Sequence, residues 1–433
     1  MKNLISIFLM VFLFTIPNID VVSQNRNVVW VHGLGDDSGA WEHYATIFEA
    51  ERQINNTRQS YGTSGGLGAA ALQLKNSFTN TNATNLGIGH SMGGLMIRDV
   101  DRTTGTNDKR FGGFITVASP NYGAPIANSI QNGSVANAIA IAFYRLTAGP
   151  LYEPFGIPWT IITGWSTTKV ANILNDLVAK FNSASINDLQ EGSPVLDLLN
   201  NFNSNAQMIS IIGEETSPVH WRLASTMLYG AGSSGNPGDQ QMASIINNIR
   251  GVYNVWVETH EIARIAALAM GNFFGAGYHS TAFNEWKQGR DWLDESETIW
   301  CNLIKASRLE SYIVGEWIEI PCTNPNCACK LQGPPGPGNH GPMIFWCEQH
   351  VYQEVTHWVT VNYGSDGLLP TYAQELKGVD IGSNNRYVIN HANHMELLNM
   401  SYSKNASGYP NDGTRNTLNE IFSRQPPSWF HTP

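Results

Sequence analysis

Five residues, Gly89-His90-Ser91-Met92-Gly93, place a serine between two small residues in the pattern G-x-S-x-G. An extended run precedes them (Thr84 to Ile88) and a helix-like run follows (Leu95 to Val100). A strand that turns sharply into a helix needs such small flanks, and it leaves the serine in a strained backbone conformation with its hydroxyl projecting above the sheet. The Met92 amide then lies at a helix N-terminus, aimed where charge would build on a carbonyl oxygen. The chemistry open to this serine is nucleophilic attack on an acyl carbon. The pattern alone is weak in a chain with 41 glycines, where an ordinary glycine turn is the bland alternative. Its partners decide between the two.

One partner lies upstream. Asn27 to Val31 is a continuous apolar run suited to a buried parallel strand, and it stops at His32-Gly33-Leu34-Gly35. Acyl transfer needs two converging backbone donors, and loss of one typically costs about 3–4 kcal/mol. A glycine-containing loop lets the backbone approach the substrate, so the Leu34 amide is the expected second donor beside Met92. His32 is read as a bracing or packing histidine and not as the general base.

The remaining partners come in the order Ser, Asp, His. Asp366 sits in Gly364-Ser365-Asp366-Gly367-Leu368-Leu369-Pro370, after a strand-like alternation from Trp358 to Tyr363. A carboxylate there is placed to receive an imidazole N–H and fix its tautomer. Arg386 to Asn390 is another short extended run, leading into His391-Ala392-Asn393-His394-Met395-Glu396-Leu397-Leu398. Either histidine could be the base. His394 is preferred because it lies several residues past the strand, where a loop can carry it over the sheet edge; His391 is the alternative.

The elements that must position these residues resemble those of the α/β-hydrolases of bacterial lipase type. The resemblance rests on V-H-G-L-G, G-H-S-M-G-G, I-T-V-A-S-P-N-Y-G-A-P (Ile115 to Pro125), S-D-G-L-L-P and N-H-M-E-L-L, islands that cover well under half of the chain. It implies an α/β fold with a mostly parallel central sheet flanked by helices, a helical cap and a large second insertion. It also implies Ser91 as nucleophile, Asp366 as acid, His394 as base, and the Leu34 and Met92 amides as the oxyanion hole. Two departures stand out. The loop after the sixth strand reads T-P-H-x-G in such lipases but Ser119-Pro120-Asn121-Tyr122-Gly123 here. Calcium-dependent members carry an Asp two residues after the base, where this chain has Glu396 and no clear second carboxylate at family spacing. A structural calcium ion is therefore not supported, no cofactor is expected, and Glu396 is read as a solvated carboxylate or one that braces its neighbours.

At 433 residues the chain is long enough for two or three domains. Its formal charge of −10, without a basic block, disfavours nucleic acid as a partner. Residues 1–23 have the layout of a secretory signal peptide: Lys2, an apolar run from Leu4 to Ile16, then a short polar stretch before Gln24. The expected location is secreted or periplasmic. Core segments are expected at 24–125, 204–213 and 357–433. Between them lie a cap or lid at 126–203, rich in aromatics such as Phe143, Tyr152, Trp159 and Trp165, and a second insertion at 214–356. A plain helical cap with a buried core is the other reading of 126–203. The second insertion contains a helix-like run from Glu261 to Met270, and Thr414 to Arg424 reads as a final amphipathic helix.

All five cysteines, Cys301, Cys322, Cys327, Cys329 and Cys347, fall in this second insertion, four of them flanking its Gly/Pro-rich loop. In an exported chain clustered cysteines most often form disulfides, and two bridges pinning that loop are preferred to a zinc site built with His350. The expected activity is serine acyl transfer to water on acylglycerols or other hydrophobic esters, with transient contact to a lipid interface. A phospholipase or lipid acyltransferase, a polyesterase, and a catalytically silent binding protein remain the alternatives, and the oligomeric state stays open.

Overall fold

The computed structural model describes residues 27–78, 85–104, 108–131, 183–216, 219–321, 348–376, 383–403, 411–425 and 428–432. The signal-peptide stretch, the aromatic centre of the cap (132–182) and four of the five cysteines lie outside the described residues.

Six strands form one parallel sheet: β1 (Asn27–Val31), β2 (Asn55–Arg58), β3 (Leu86–His90), β4 (Gly113–Val117), β5 (Gln207–Glu214) and a last strand, Arg386–Asn390, in the order β2, β1, β3, β4, β5, last strand. Period-2 alternation in β1 feeds two cores. Val28 and Trp30 pack with Trp41, the residue before helix α1 (Glu42–Arg52), with Phe48 of that helix, and with Leu418 near the C-terminus. Val29 and Val31 pack on the other face with Leu67 of α2 (Leu67–Ser77) and Met96 of α3 (Met92–Thr103). A parallel sheet buried on both faces needs near-continuous apolar strands, and β1, β3 and β4 are buried at nearly every position.

The second insertion contains two projecting arms. Helix α4 (Val219–Tyr229) leads into a helical hairpin, α5 (Asp239–Ala269) and α6 (Phe273–Leu303), each 31 residues and so about 46 Å long. Met242, Ile246, Ile249, Tyr253 and Val257 recur every three or four residues along α5 and face Ala282, Trp286 and Leu293 of α6. The second arm is a separate antiparallel pair, β6 (Ser307–Pro321) with β7 (Glu348–Asn362), in register from Ser307↔Asn362 to Pro321↔Glu348. The final sheet strand, Arg386–Asn390, is β8, and α7 (Gly413–Phe422) closes the chain.

Two expectations need correction. The run from Trp358 to Tyr363 is the end of β7, which belongs to the arm and not to the central sheet, so β7 crosses the expected return to the core at 357. The chain rejoins the sheet at an isolated bridge between Glu215 and Ser365. The strand before Ser91 runs from Leu86 through His90, past the expected end at Ile88, because Gly89 continues the ladder against Thr116 of β4; Thr84 lies outside the described residues.

Candidate active site

Ser91 is the one-residue turn between β3 and α3. Its backbone has φ 53° and ψ −129°, a left-handed conformation that costs a non-glycine residue on the order of 1–3 kcal/mol. The surroundings hold it there. Its amide donates to the Val117 carbonyl at 2.9 Å, and side chains larger than hydrogen are shut out on both flanks. A Cβ on Gly89 would lie 2.5 Å from the Gly94 amide, and one on Gly93 2.5 Å from the Val31 carbonyl oxygen.

The loop after β1 comes up against this turn. A Cβ on Gly33 would stand 2.9 Å from the Ser91 Cβ, so the backbone leading into Leu34 passes directly beside the serine. The loop is braced from behind. His32 is buried, stacks on Tyr61 at 4.0 Å with the rings 3° from parallel, and its carbonyl accepts from the Tyr61 hydroxyl at 2.9 Å. Its Nδ1 lies 3.1 Å from the Gly33 carbonyl, and burial pushes its pKa down. Met92, the first residue of α3, is fully buried and presents its amide at the helix N-terminus.

Asp366 and His394, 28 residues apart, meet at 2.7 Å between Oδ2 and Nδ1. The pair is buried, with side chains 0% and 3% exposed. Asp366 Oδ1 accepts from the Leu368 and Leu369 amides at 2.9 and 2.7 Å, so the carboxylate is fixed as an acceptor, and Nδ1–H is the donor to it. With Nδ1 engaged by Asp366, Nε2 is the ring nitrogen of His394 left to exchange a proton. The loop is tied at the main chain as well: the His394 amide donates to the Asp366 carbonyl at 2.7 Å.

His90, the second residue of the G-x-S-x-G pattern, adds a contact that its sequence position did not announce. Its Nε2–H donates to the His394 carbonyl at 2.8 Å, and the two rings lie 4.6 Å apart. Since a carbonyl only accepts, His90 is held as the Nε2–H tautomer. Burial, with the neighbouring imidazole of His394 further disfavouring a second charge, pushes its pKa well down, so it is neutral. The residue before the serine thus fixes the main chain of the histidine. His391 lies elsewhere: its Nδ1 is 2.7 Å from Asp239 Oδ2, it has φ 61°, and it forms part of a charged cluster beside the site.

A six-stranded parallel sheet flanked by helices, turning from strand to helix at a strained serine, is an α/β-hydrolase fold. No family model and no curated protein matches the chain. Among solved structures it is similar to the Bacillus licheniformis lipase BlEst2, with 13% identity over 49% of this chain and 76% of that one, at a TM-score of 0.32. Lipase 1 from Pelosinus fermentans matches with 16% identity over 45% of this chain and 70% of that one, at a TM-score of 0.27. A pyrethroid hydrolase from Sphingobium faniae JZ-2 matches with 14% identity and a TM-score of 0.20; 24% of this chain aligns, spanning 45% of that chain's length. Likeness this slight says nothing of substrate.

The central sheet and its loops are joined to the second insertion through a buried charged cluster that the sequence did not reveal. Arg222 of α4 is 1% exposed and donates through Nη2 to both oxygens of Glu396, each at 2.8 Å. Its Nε lies 3.0 Å from Asp239 Oδ1 and 3.2 Å from Glu215 Oε2. Asn236 donates to Glu396 at 2.8 Å and to Thr226 at 2.8 Å, and Asn393 reaches the same Thr226 hydroxyl at 2.8 Å. Glu396 is therefore not solvated. Both its oxygens are taken by Arg222, so it offers no open face to a calcium ion and the site does not fit one.

Three carboxylates surround one guanidinium, and their environments push them apart. Burial raises Glu215 well above the usual carboxylate range, against the pull of Arg222, so it holds its proton. Burial also raises Glu396, with Arg222 opposing. Asp239 ends below the usual range: burial raises it, but hydrogen bonds from Glu215 and Thr216 and the charge of Arg222 outweigh that. Cys301, the described cysteine, is a free thiol whose pKa burial raises to about 11. It is protonated and unreactive at neutral pH.

Proposed function

We propose that this chain is an exported serine hydrolase that cleaves hydrophobic carboxylic esters, acylglycerols foremost, through an acyl-enzyme. The observation that carries the reading is the buried His394–Asp366 pair at 2.7 Å, whose backbone is tied to the residue preceding a serine held at φ 53°. In this mechanism Ser91 Oγ attacks the ester carbonyl carbon while its proton passes to His394 Nε2. Asp366 keeps the imidazole in the Nδ1–H tautomer and stabilises the imidazolium that forms. The Leu34 and Met92 amides donate to the oxyanion of the tetrahedral intermediate. As that intermediate collapses, the ester C–O bond breaks and His394 returns the proton to the leaving alcohol. Water, deprotonated by His394, then attacks the acyl carbon; the second collapse releases the carboxylic acid and restores Ser91. No cofactor enters the cycle. Removal of residues 1–23 on export and a lid at 126–203 belong to the same proposal.

The decisive experiment pairs an alkyl fluorophosphonate with Ser91→Ala. Wild-type chain should be labelled at Ser91 and should hydrolyse p-nitrophenyl butyrate. The Ala variant should lose labelling and several orders of magnitude of turnover with unchanged stability, because the turn tolerates a smaller side chain. Labelling that persists in the Ala variant, or turnover within tenfold of wild type, moves the nucleophile elsewhere.

A further inference from the structure

The apex of the α5/α6 hairpin carries an apolar surface that nothing in the described fold covers. Phe274 is 95% exposed, Met270 76%, Phe273 75% and Ile262 68%, with Ile265 and Leu268 also exposed. Monomeric proteins rarely leave aromatic residues so completely in water, and contiguous apolar exposure marks an interaction surface. We propose that this apex inserts into the surface of a lipid bilayer and holds the protein there. The proposal goes beyond the hydrolase reading, which concerns the opposite end of the same hairpin.

Three features select a lipid surface over a protein partner. The first is charge. No Asp, Glu, Lys or Arg occurs from residue 265 to residue 284, so the apex has no charge pattern with which to fix a specific protein face. The second is shape. The end of a two-helix hairpin, about 20 Å by 10 Å across, is convex and offers no groove for a protein partner to fill. A bilayer needs no preformed complement and closes around a convex tip.

The third feature is the depth profile. At about 1.5 Å of rise per residue, Ile262 lies about 10 Å below the last helical residue, Ala269, and the exposed apolar side chains on α5 nearest the apex lie above that level. Amphipathic helices lodge their apolar faces about 5–10 Å into the headgroup and acyl boundary. At that level stands the Arg264–Glu261 ion pair, 2.8 Å apart and partly exposed, with Tyr278 on α6. A charged pair and an amphipathic ring suit the headgroup region. Among the described residues no helix is long and apolar enough to cross a membrane, so the apex dips into one leaflet and does not span.

The test is co-sedimentation of the full chain with large unilamellar vesicles of phosphatidylcholine, at low and high salt, for wild type and for F273S/F274S. Both phenylalanines are in solvent, so serine there leaves the fold intact, and turnover of p-nitrophenyl butyrate, read in parallel, should be the same in both proteins. Wild type should pellet with vesicles at either salt concentration, and the double variant should bind about tenfold more weakly or worse. Failure of wild type to bind, equal binding by the double variant, or loss of binding in high salt overturns the proposal. So does a concentration-dependent dimer in light scattering that F273S/F274S abolishes, since a second copy would then cover the apex. Wild type that binds vesicles but hydrolyses no ester supports the apex assignment while removing the hydrolase reading.

Discussion

Replacing Arg222 with methionine tests whether the insertion holds His394 in place. Arg222 is buried, and its Nη2 meets both oxygens of Glu396, two residues after His394, at 2.8 Å. Arg222→Met removes the cation held against that carboxylate and leaves Glu396 and Asp239 as buried charges with hydrogen bonds but no guanidinium between them. Breaking a buried pair from one side costs about 3–5 kcal/mol, a large share of the roughly 5–15 kcal/mol that holds a domain together. Glu396→Gln should cost less, about 1–3 kcal/mol, because Arg222 keeps Asp239 and the amide oxygen still accepts one bond. The double variant should be no worse than Arg222→Met alone, since an uncharged amide at position 396 needs no cation. The cycle therefore predicts a coupling of at least about 1 kcal/mol, well outside the roughly 0.3–0.5 kcal/mol scatter of independent sites. Urea unfolding followed by tryptophan fluorescence measures all four corners. Turnover of a short soluble ester, assayed where each variant is folded, should fall in kcat for Arg222→Met with little change in KM, because a displacement of about 1 Å at the base costs about a hundredfold. Additive stability changes would refute the pairing. A destabilised Arg222→Met with wild-type kcat would refute the claim that the pairing positions His394.

The remaining expectations concern the site itself. His394→Ala should be nearly as damaging to kcat as loss of Ser91, and Asp366→Asn should be severe because it leaves the wrong imidazole tautomer; His391→Ala should fall far short of both, and the reverse ranking would shift the base to His391. His90→Gln should change how stability depends on pH. The buried imidazole stays neutral in the folded state while the unfolded chain takes up a proton near pH 6.5, so stability falls as pH drops below 6.5 toward the lowered folded value, by about 1.4 kcal/mol per pH unit. Urea midpoints from pH 7.5 downward should show wild type losing stability faster than His90→Gln, and a difference between the two that stays constant with pH would refute the assignment.

How much of this was legible in the sequence depended on how local each signal is. β1 and β8 are uninterrupted apolar or extended runs, and both lie where those runs are, Asn27–Val31 and Arg386–Asn390. The strand before Ser91 runs two residues past the end its sequence suggests, because Gly89 looks like punctuation but is a buried ladder member where close packing excludes a side chain. Asp366 and His394 could be picked out from their order and flanks, and the structure brings their side chains to 2.7 Å. The arm was only partly legible. The run from Glu261 to Met270 is the apolar end of a 31-residue helix whose earlier turns carry Asn and Gly251, although the three-and-four spacing from Met242 through Val257 was a readable seam. Arg222 could not be paired from sequence. Its partner is 174 residues away, and a lone arginine in α4 carries no mark of the carboxylate it will meet.

That long-range pairing changes how the second insertion should be regarded. Along the chain, residues 214–356 look like an appendage between two core strands. In space both feet of its helical arm stand beside the loops that carry Asp366 and His394. Asp239, the first residue of α5, bonds His391 and Arg222, while near the end of α6 the Trp300 indole donates to the Gly367 carbonyl at 2.7 Å, one residue from Asp366. Glu297, one turn before Trp300, receives the Val219 amide at 2.8 Å and meets His220 Nδ1 at 2.7 Å, tying the two feet together through α4. The acid loop and the base loop are thus each buttressed by one helix of the same hairpin. Their mutual geometry, a 2.7 Å bond between side chains from two loops, depends on that shared support as well as on the sheet. The part of the insertion nearest the core is therefore bound to the loops that carry Asp366 and His394, while its far end stands about 46 Å away by helix rise.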